Sequence, residues 1–107
     1  MIEVKILAGV CGFVTTVMAD SEDQQTASLK IITDCPNYKP LETELTEADA
    51  FEECFKKTGE GTIYGICRKY GKHAACPVPC GIVKAVEAAC GLALPRDALI
   101  EVKKAQP

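Results

Sequence analysis

The chain has no tryptophan and only six other aromatic residues, three tyrosines and three phenylalanines. Its core must therefore be built from Val, Ile, Leu, Ala and Cys. Net charge is small, with 12 basic against 15 acidic residues leaving −3. That balance gives no electrostatic reason to expect nucleic acid, whose phosphates demand a basic surface. There is one histidine, His73, and nothing supplies the third member of a nucleophile–histidine–acid triad. The longest apolar stretch, Ile6 to Ala19, is broken by Gly9, Cys11, Gly12, Thr15 and Thr16. It is too short and interrupted to span a membrane. Val17-Met18-Ala19 loosely resembles a signal cleavage site, but Glu3 stands where a signal peptide needs positive charge. The stretch reads instead as two strands and a turn. No internal repeat, low-complexity stretch or linker divides the chain, so residues 1–107 are expected to form a single domain with a real core of its own.

Cysteine is what the chain has in excess, with seven. An odd number cannot all pair within one chain, and a secreted disulfide scaffold is usually shorter with an even count. The count suits a reduced, intracellular, low-oxygen setting better. The cysteines also have informative neighbours. Cys11 stands between Val10 and Gly12; Cys35 and Cys76 each precede proline. In Cys76-Pro77-Val78-Pro79-Cys80 the prolines suit the first turn of a helix, where a missing N–H has no intrahelical partner. That places Cys76 at the cap, facing unpaired N–H groups and the positive end of the dipole, which favours a thiolate. A Cys-Pro pair also follows the last cluster ligand in one ferredoxin pattern.

These features point to a four-thiolate site from Cys11, Cys35, Cys67 and Cys76, with Cys80 or His73 as substitutes. An iron–sulfur cluster is the expected occupant and zinc the alternative, since thiolates suit both. There is no C-x-x-C pair and no zinc-ribbon spacing, so the ligands would have to converge through the fold. Cys54 and Cys90 fall inside expected helices and read as core packing, a common fate of cysteine. His73 reads as a ligand, as a base beside a thiol, or as a plain loop residue. Arg68, Lys69 and Lys72 read as holding an anionic centre or as solvated loop charges. The residues describe a binding site more readily than an enzyme, acting with a protein partner and with neither nucleic acid nor membrane.

The local pattern predicts an α+β fold, an antiparallel sheet of about four strands with helices packed on one face. Ile2–Leu7 alternates apolar and charged residues, as a half-buried strand does. Gly9-Val10-Cys11-Gly12 supplies a tight turn, and Phe13 to Met18 a β-branched second strand. Asp20 to Thr26 is expected to turn and Ala27 to Thr33 to form a third strand. Asn37 to Leu45 reads as a weak helix because of Pro40. Thr46-Glu47-Ala48-Asp49 has the form of a capping box, which predicts a helix from Glu47 to about Lys57. Thr62 to Tyr70 reads as a short helix or irregular stretch ended by Gly71. A helix from Pro77 to Cys90 stops at Gly91. Asp97 to Lys103 then predicts a last strand with Leu99 and Val102 facing inward.

Two resemblances follow from these segments. Cys76-Pro77-Val78-Pro79, followed by Ile82, Lys84 and Ala85 and then Asp97 to Lys103, resembles the motif region of SirA/TusA-type sulfur carriers. The resemblance implies that Cys76 carries persulfide sulfur. Over nearly its whole length the chain is similar to a small uncharacterised cysteine-rich family of anaerobic bacteria and archaea. That similarity rests on Val10-Cys11-Gly12-Phe13, Asp34-Cys35-Pro36, His73-Ala74-Ala75-Cys76-Pro77-Val78-Pro79, Gly81-Ile82-Val83-Lys84-Ala85 and Gly91-Leu92-Ala93-Leu94-Pro95. It implies an anaerobic cytoplasmic setting. Three functions stand side by side: a thiolate metal protein in electron transfer, cluster delivery or sensing; a sulfur carrier using Cys76; and an interaction protein with core thiols.

Overall fold

The computed structural model describes residues 1–106. The chain runs β1 (Ile2–Leu7), β2 (Val14–Asp20), β3 (Thr26–Thr33), α1 (Leu41–Glu44), β4 (Glu47–Asp49), α2 (Ala50–Cys54), α3 (Thr62–Tyr70) and α4 (Val78–Ala89). The four strands form one sheet in the order β1-β2-β3-β4, antiparallel throughout. The fold is α+β, as the patterning predicts.

The first hairpin closes at Gly9–Gly12, where the Gly12 amide donates to the Gly9 carbonyl at 3.0 Å. Both glycines have positive φ, 93° and 75°, a conformation that side chains resist. The second turn is held by Asp23, whose carboxylate accepts from the amides of Gln25 at 2.9 Å and Thr26 at 2.8 Å. Those bonds lower its pKa.

Strand alternation sends Ile6, Val17, Ala19, Ala27, Leu29 and Ile31 to one face, where they are buried. Glu3, Lys5, Ser28 and Lys30 take the other, solvent-facing side. The covered face packs against α4, whose Val78, Ile82, Ala85 and Val86 are buried. At about 25 cal/mol per Å², burial of Val78, Ile82 and Val86 contributes roughly 1.5–3 kcal/mol each. Gly81 lets α4 approach closely, because a Cβ there would collide with Ile6. Within the covered layer the hydroxyls of Thr15 and Thr33 bond to each other at 2.7 Å. This satisfies two buried polar groups that would otherwise be costly.

Three local expectations are corrected. The residues from Glu47 do not open a helix: Glu47–Asp49 pairs with β3 as β4, and α2 starts only at Ala50. The cap is Asp49, accepting from the amides of Phe51 at 2.8 Å and Glu52 at 3.4 Å, rather than Thr46. The Thr46 carbonyl instead accepts from the Leu29 amide at 2.8 Å, so cross-strand bonding wins over the local box. Second, Pro77 rather than Cys76 occupies the N-cap of α4. Third, Asp97 to Lys103 is not a strand within this chain. It has no regular secondary structure and is exposed, with Leu99 at 80% and Val102 at 90% of full accessibility. The fourth strand is β4 instead.

Candidate functional site: a thiol cleft

The site is assembled by α3, the loop after it and the start of α4. A buried carboxylate sets α3. Gly61, with φ of 98°, offers no capping side chain, and Glu53 supplies one from α2. Its Oε1 accepts from the Ile63 amide at 2.8 Å. Burial raises the Glu53 pKa, while the bonds from Ile63 and Thr62 act in the opposite sense. A Cβ at Gly61 would lie 2.9 Å from that carboxylate oxygen, so the position combines close approach with a left-handed backbone.

At its far end α3 carries Cys67, 2% exposed. The Gly71 amide closes the helix on the Cys67 carbonyl at 2.7 Å. Gly71 has no room for a side chain, because a Cβ would strike the Tyr38 hydroxyl. The chain then turns through His73-Ala74-Ala75-Cys76, with the Cys76 amide donating to the His73 carbonyl at 3.2 Å. Proline at positions 77 and 79 removes two of the amides at the start of α4, and Gly81 bonds to Pro77 at 3.0 Å. This is why a segment so rich in proline still begins a helix.

These elements enclose an open cleft of about 450 Å³. Cys67, Cys76, Cys80 and His73 line it, with Tyr38, Tyr64, Arg68 and Lys72. Cys67 is buried, Cys76 half-buried and Cys80 exposed. Burial pushes the Cys67 thiol up to about 12, and the neighbouring Cys76 and Glu53 add to the rise. Tyr38, 3% exposed, stands against this group. Burial raises its hydroxyl well above the usual phenol range, and the thiols of Cys67, Cys76 and Cys35 raise it further. The Cys76 thiol is within hydrogen-bonding reach of it. Arg68 is anchored beside the cleft by donating to the Gly59 carbonyl.

Of the expected ligands, Cys67 and Cys76 share the cleft, together with both substitutes, Cys80 and His73. Cys35 does not line it and lies near Tyr38 instead. Its amide donates to Thr33 Oγ1 at 3.1 Å and its carbonyl accepts from the Tyr38 amide at 3.2 Å. Cys11 is exposed in the β1–β2 turn, outside the cleft. Among the described residues, no three His, Cys, Asp or Glu side chains are grouped to hold a metal ion. Cys54 and Cys90 occur elsewhere, near each other and near Glu87. Tyr38 is the residue that sequence reasoning missed. Its only signal is its place three residues after Cys35, just past the Cys35-Pro36 pair already marked as special.

No helix among the described residues is long and apolar enough to cross a membrane. The model of a family of unknown function (DUF6951) matches residues 2–102, and the chain belongs to that family. No curated protein and no solved structure matches it.

Proposed function

We propose that the chain is a thiolate metal-binding protein whose site is the cleft, with Cys67, Cys76 and Cys80 as its central ligands. The observation that carries this reading is the gathering of three of the seven cysteines and the only histidine in one cleft. Three free thiols in one place are hard to explain by core filling, since Cys80 is exposed and Cys76 only half-buried. Soft thiolates select zinc, copper(I) or an iron–sulfur cluster. In this reading the site closes when it is loaded. Cys76 just precedes α4, Cys80 lies in its first turn and Cys67 lines the same cleft from α3, so binding would require these three side chains to turn toward a common ion. A bound cation also reverses the protonation of Cys67, because a coordinating thiol is deprotonated outright. The fourth ligand is His73 from the cleft, or Cys35 from beside Tyr38. An iron–sulfur cluster in a reduced, anaerobic cytoplasm is the preferred occupant, serving electron transfer, cluster delivery or sensing with a partner protein.

The test is metal and sulfide analysis with an absorption spectrum on protein purified without oxygen. Stoichiometric iron and sulfide with visible charge-transfer absorption support a cluster; a colourless zinc protein supports the same ligands with a redox-inert ion. Cys67→Ser, Cys76→Ser and Cys80→Ser should each lower metal content, while Cys54→Ser should not. Metal-free protein in all preparations overturns the reading.

One observation favours a second reading. Cys76 is half-buried at the entrance to α4, with Arg68 and Lys72 in the same cleft. A persulfide carrier of the SirA/TusA type needs one such thiol. Dependence of sulfur transfer on Cys76 alone, in metal-free protein, would select it.

A further inference from the structure

Residues 97–106, after α4, are exposed and have no regular secondary structure. Leu99, Ile100 and Val102 are 80%, 80% and 90% exposed, and among the described residues no backbone hydrogen bond reaches 97–106. Yet Asp97-Ala98-Leu99-Ile100-Glu101-Val102-Lys103-Lys104 has the composition of a strand. On the other side, β1 pairs only with β2 and is an open edge of the sheet. The Ala8 amide bonds to Phe13 across the hairpin. By the alternation of an antiparallel ladder, the backbone groups of Glu3, Lys5 and Leu7 therefore face the open edge. Such an edge is a template for another strand.

We infer that 97–104 adds as an antiparallel strand to β1 of a second copy, and that two copies exchange these segments about a twofold axis. Charge and register carry the choice. With Val102 opposite Val4, Ile100 falls opposite Ile6, and both join the covered face of the sheet. Lys103 then stands opposite Glu3, and Glu101 opposite Lys5, on the solvent side. A shift of two residues either way puts Glu101 opposite Glu3 or Lys103 opposite Lys5, and like charges directly opposite are destabilising.

The donor of this strand is a second molecule because of the direction of α4. Its Gly81 lies against Ile6, near the end of β1, and its Gly91 beside Gln24, at the sheet end where β1 begins. A strand returning from Gly91 onto its own β1 thus runs parallel to it. In the two parallel registers that keep the apolar face inward, Glu3 meets either Leu99 or Glu101. To lie antiparallel, residues 92–98 must first run the length of the sheet. β1 spans roughly 20 Å at 3.4 Å per residue, and seven residues reach at most about 25 Å when fully extended, so that path demands an almost straight chain. The bond from the Arg96 amide to the Leu94 carbonyl already shortens that path. A symmetric exchange meets neither obstacle, and each copy gives one strand and receives one.

The test is the mass of the full chain in solution, by light scattering or sedimentation, under reducing conditions that break any disulfide through Cys11 or Cys80. A dimer is expected, with slow amide exchange across both β1 and 97–104. Ile100→Asp should weaken it at least about tenfold, with the monomer still folded because Ile100 is exposed there. The pair Glu101→Lys with Lys103→Glu should weaken it by a few-fold, a range set by cross-strand charge pairs. Adding Glu3→Lys and Lys5→Glu to the same chain should restore it. A monomer overturns the inference, whether its 97–104 amides are protected or not. So does a dimer indifferent to these substitutions. Metal content is a separate readout, so failure here leaves the cleft reading untouched, and the reverse.

Discussion

The thiols gathered at the two ends of α4 differ in setting. At its start, Cys76 and Cys80 are half-buried and exposed and share a cleft with the buried Cys67, a histidine and two basic residues. At its end, Cys90 is 2% exposed and capped within the core, with Cys54 half-buried nearby. The second pair sits in and against the hydrophobic core, where sulfur fills space. Burial pushes Cys54 up to about 11, with Glu87, Cys90 and Glu53 adding to the rise. The first group combines one buried thiol with two that solvent or a ligand can reach. The lesson is that exposure alone does not separate functional from packing cysteines. Cys67 is as buried as Cys90, and it is the company of other ligating groups around an open volume that distinguishes it.

The largest effect should come from crossing that boundary by mutation. Cys76→Ser is expected to lower metal retention at least about tenfold, by analogy with the size of ligand-shell effects, whereas Cys90→Ala should leave it unchanged. Equal losses at both positions, by metal analysis of the purified variants, would erase the contrast. Next in size are two changes that disturb how the cleft is held. Glu53→Ala removes the acceptor for the Ile63 amide and should destabilise the fold by about 1–3 kcal/mol, the cost of leaving a buried donor unpaired. Gly71→Ala forces a Cβ against the Tyr38 hydroxyl and should cost about 1–3 kcal/mol, as overpacking does. Denaturant midpoints measure both. Timed thiol labelling should also show Cys67 becoming accessible in these variants and Cys90 staying protected.

A smaller, pH-dependent effect sharpens the comparison. The folded Cys67 pKa is raised from 9.0 to about 12, so the folded state holds its proton where the unfolded chain has lost it. The associated stability is complete below pH 9 and is lost as pH rises toward 12. Cys54, raised to about 11, acts in the same direction over a narrower window. Unfolding midpoints of metal-free protein should therefore fall with rising alkaline pH. Cys67→Ala should flatten that fall more than Cys54→Ala does. The smallest effect is expected at Asp49→Ala, which removes the cap of α2 and should cost about 1 kcal/mol with no change in metal content.

Most elements were legible because their signals are local. Alternation located β1 to β3, glycines located the first hairpin and the end of α3, and Pro77 and Pro79 located the start of α4. Reading failed where a long-range partner outbid a local signal. The box at Thr46 lost to pairing with β3; conversely, the strand pattern at 97–103 found no partner within the chain to pair with. For the site, the sequence marked Cys11, Cys35, Cys67 and Cys76, with Cys80 or His73 as substitutes, and the cleft gathers Cys67, Cys76, Cys80 and His73 but neither Cys11 nor Cys35. The sequence did not reveal that Tyr38 stands among them, because α1 and its preceding turn reach that place only through the sheet. Thr33 makes the link, its amide donating to Glu42 of α1 at 2.9 Å and its hydroxyl accepting from the Cys35 amide.

The residues alone therefore determined the abundance of thiols, the α+β pattern and the helix start at the paired prolines, since each depends on composition or near neighbours. Only the tertiary structure decided which thiols share a cleft. The placing of the cleft's walls depends on the close approach of α4 to β1 at Gly81, the reach of Glu53 from α2 to Ile63 of α3 and the absence of a side chain at Gly71 beside Tyr38. Those are contacts between positions far apart in the chain, and no local pattern encodes the distance that separates them after folding.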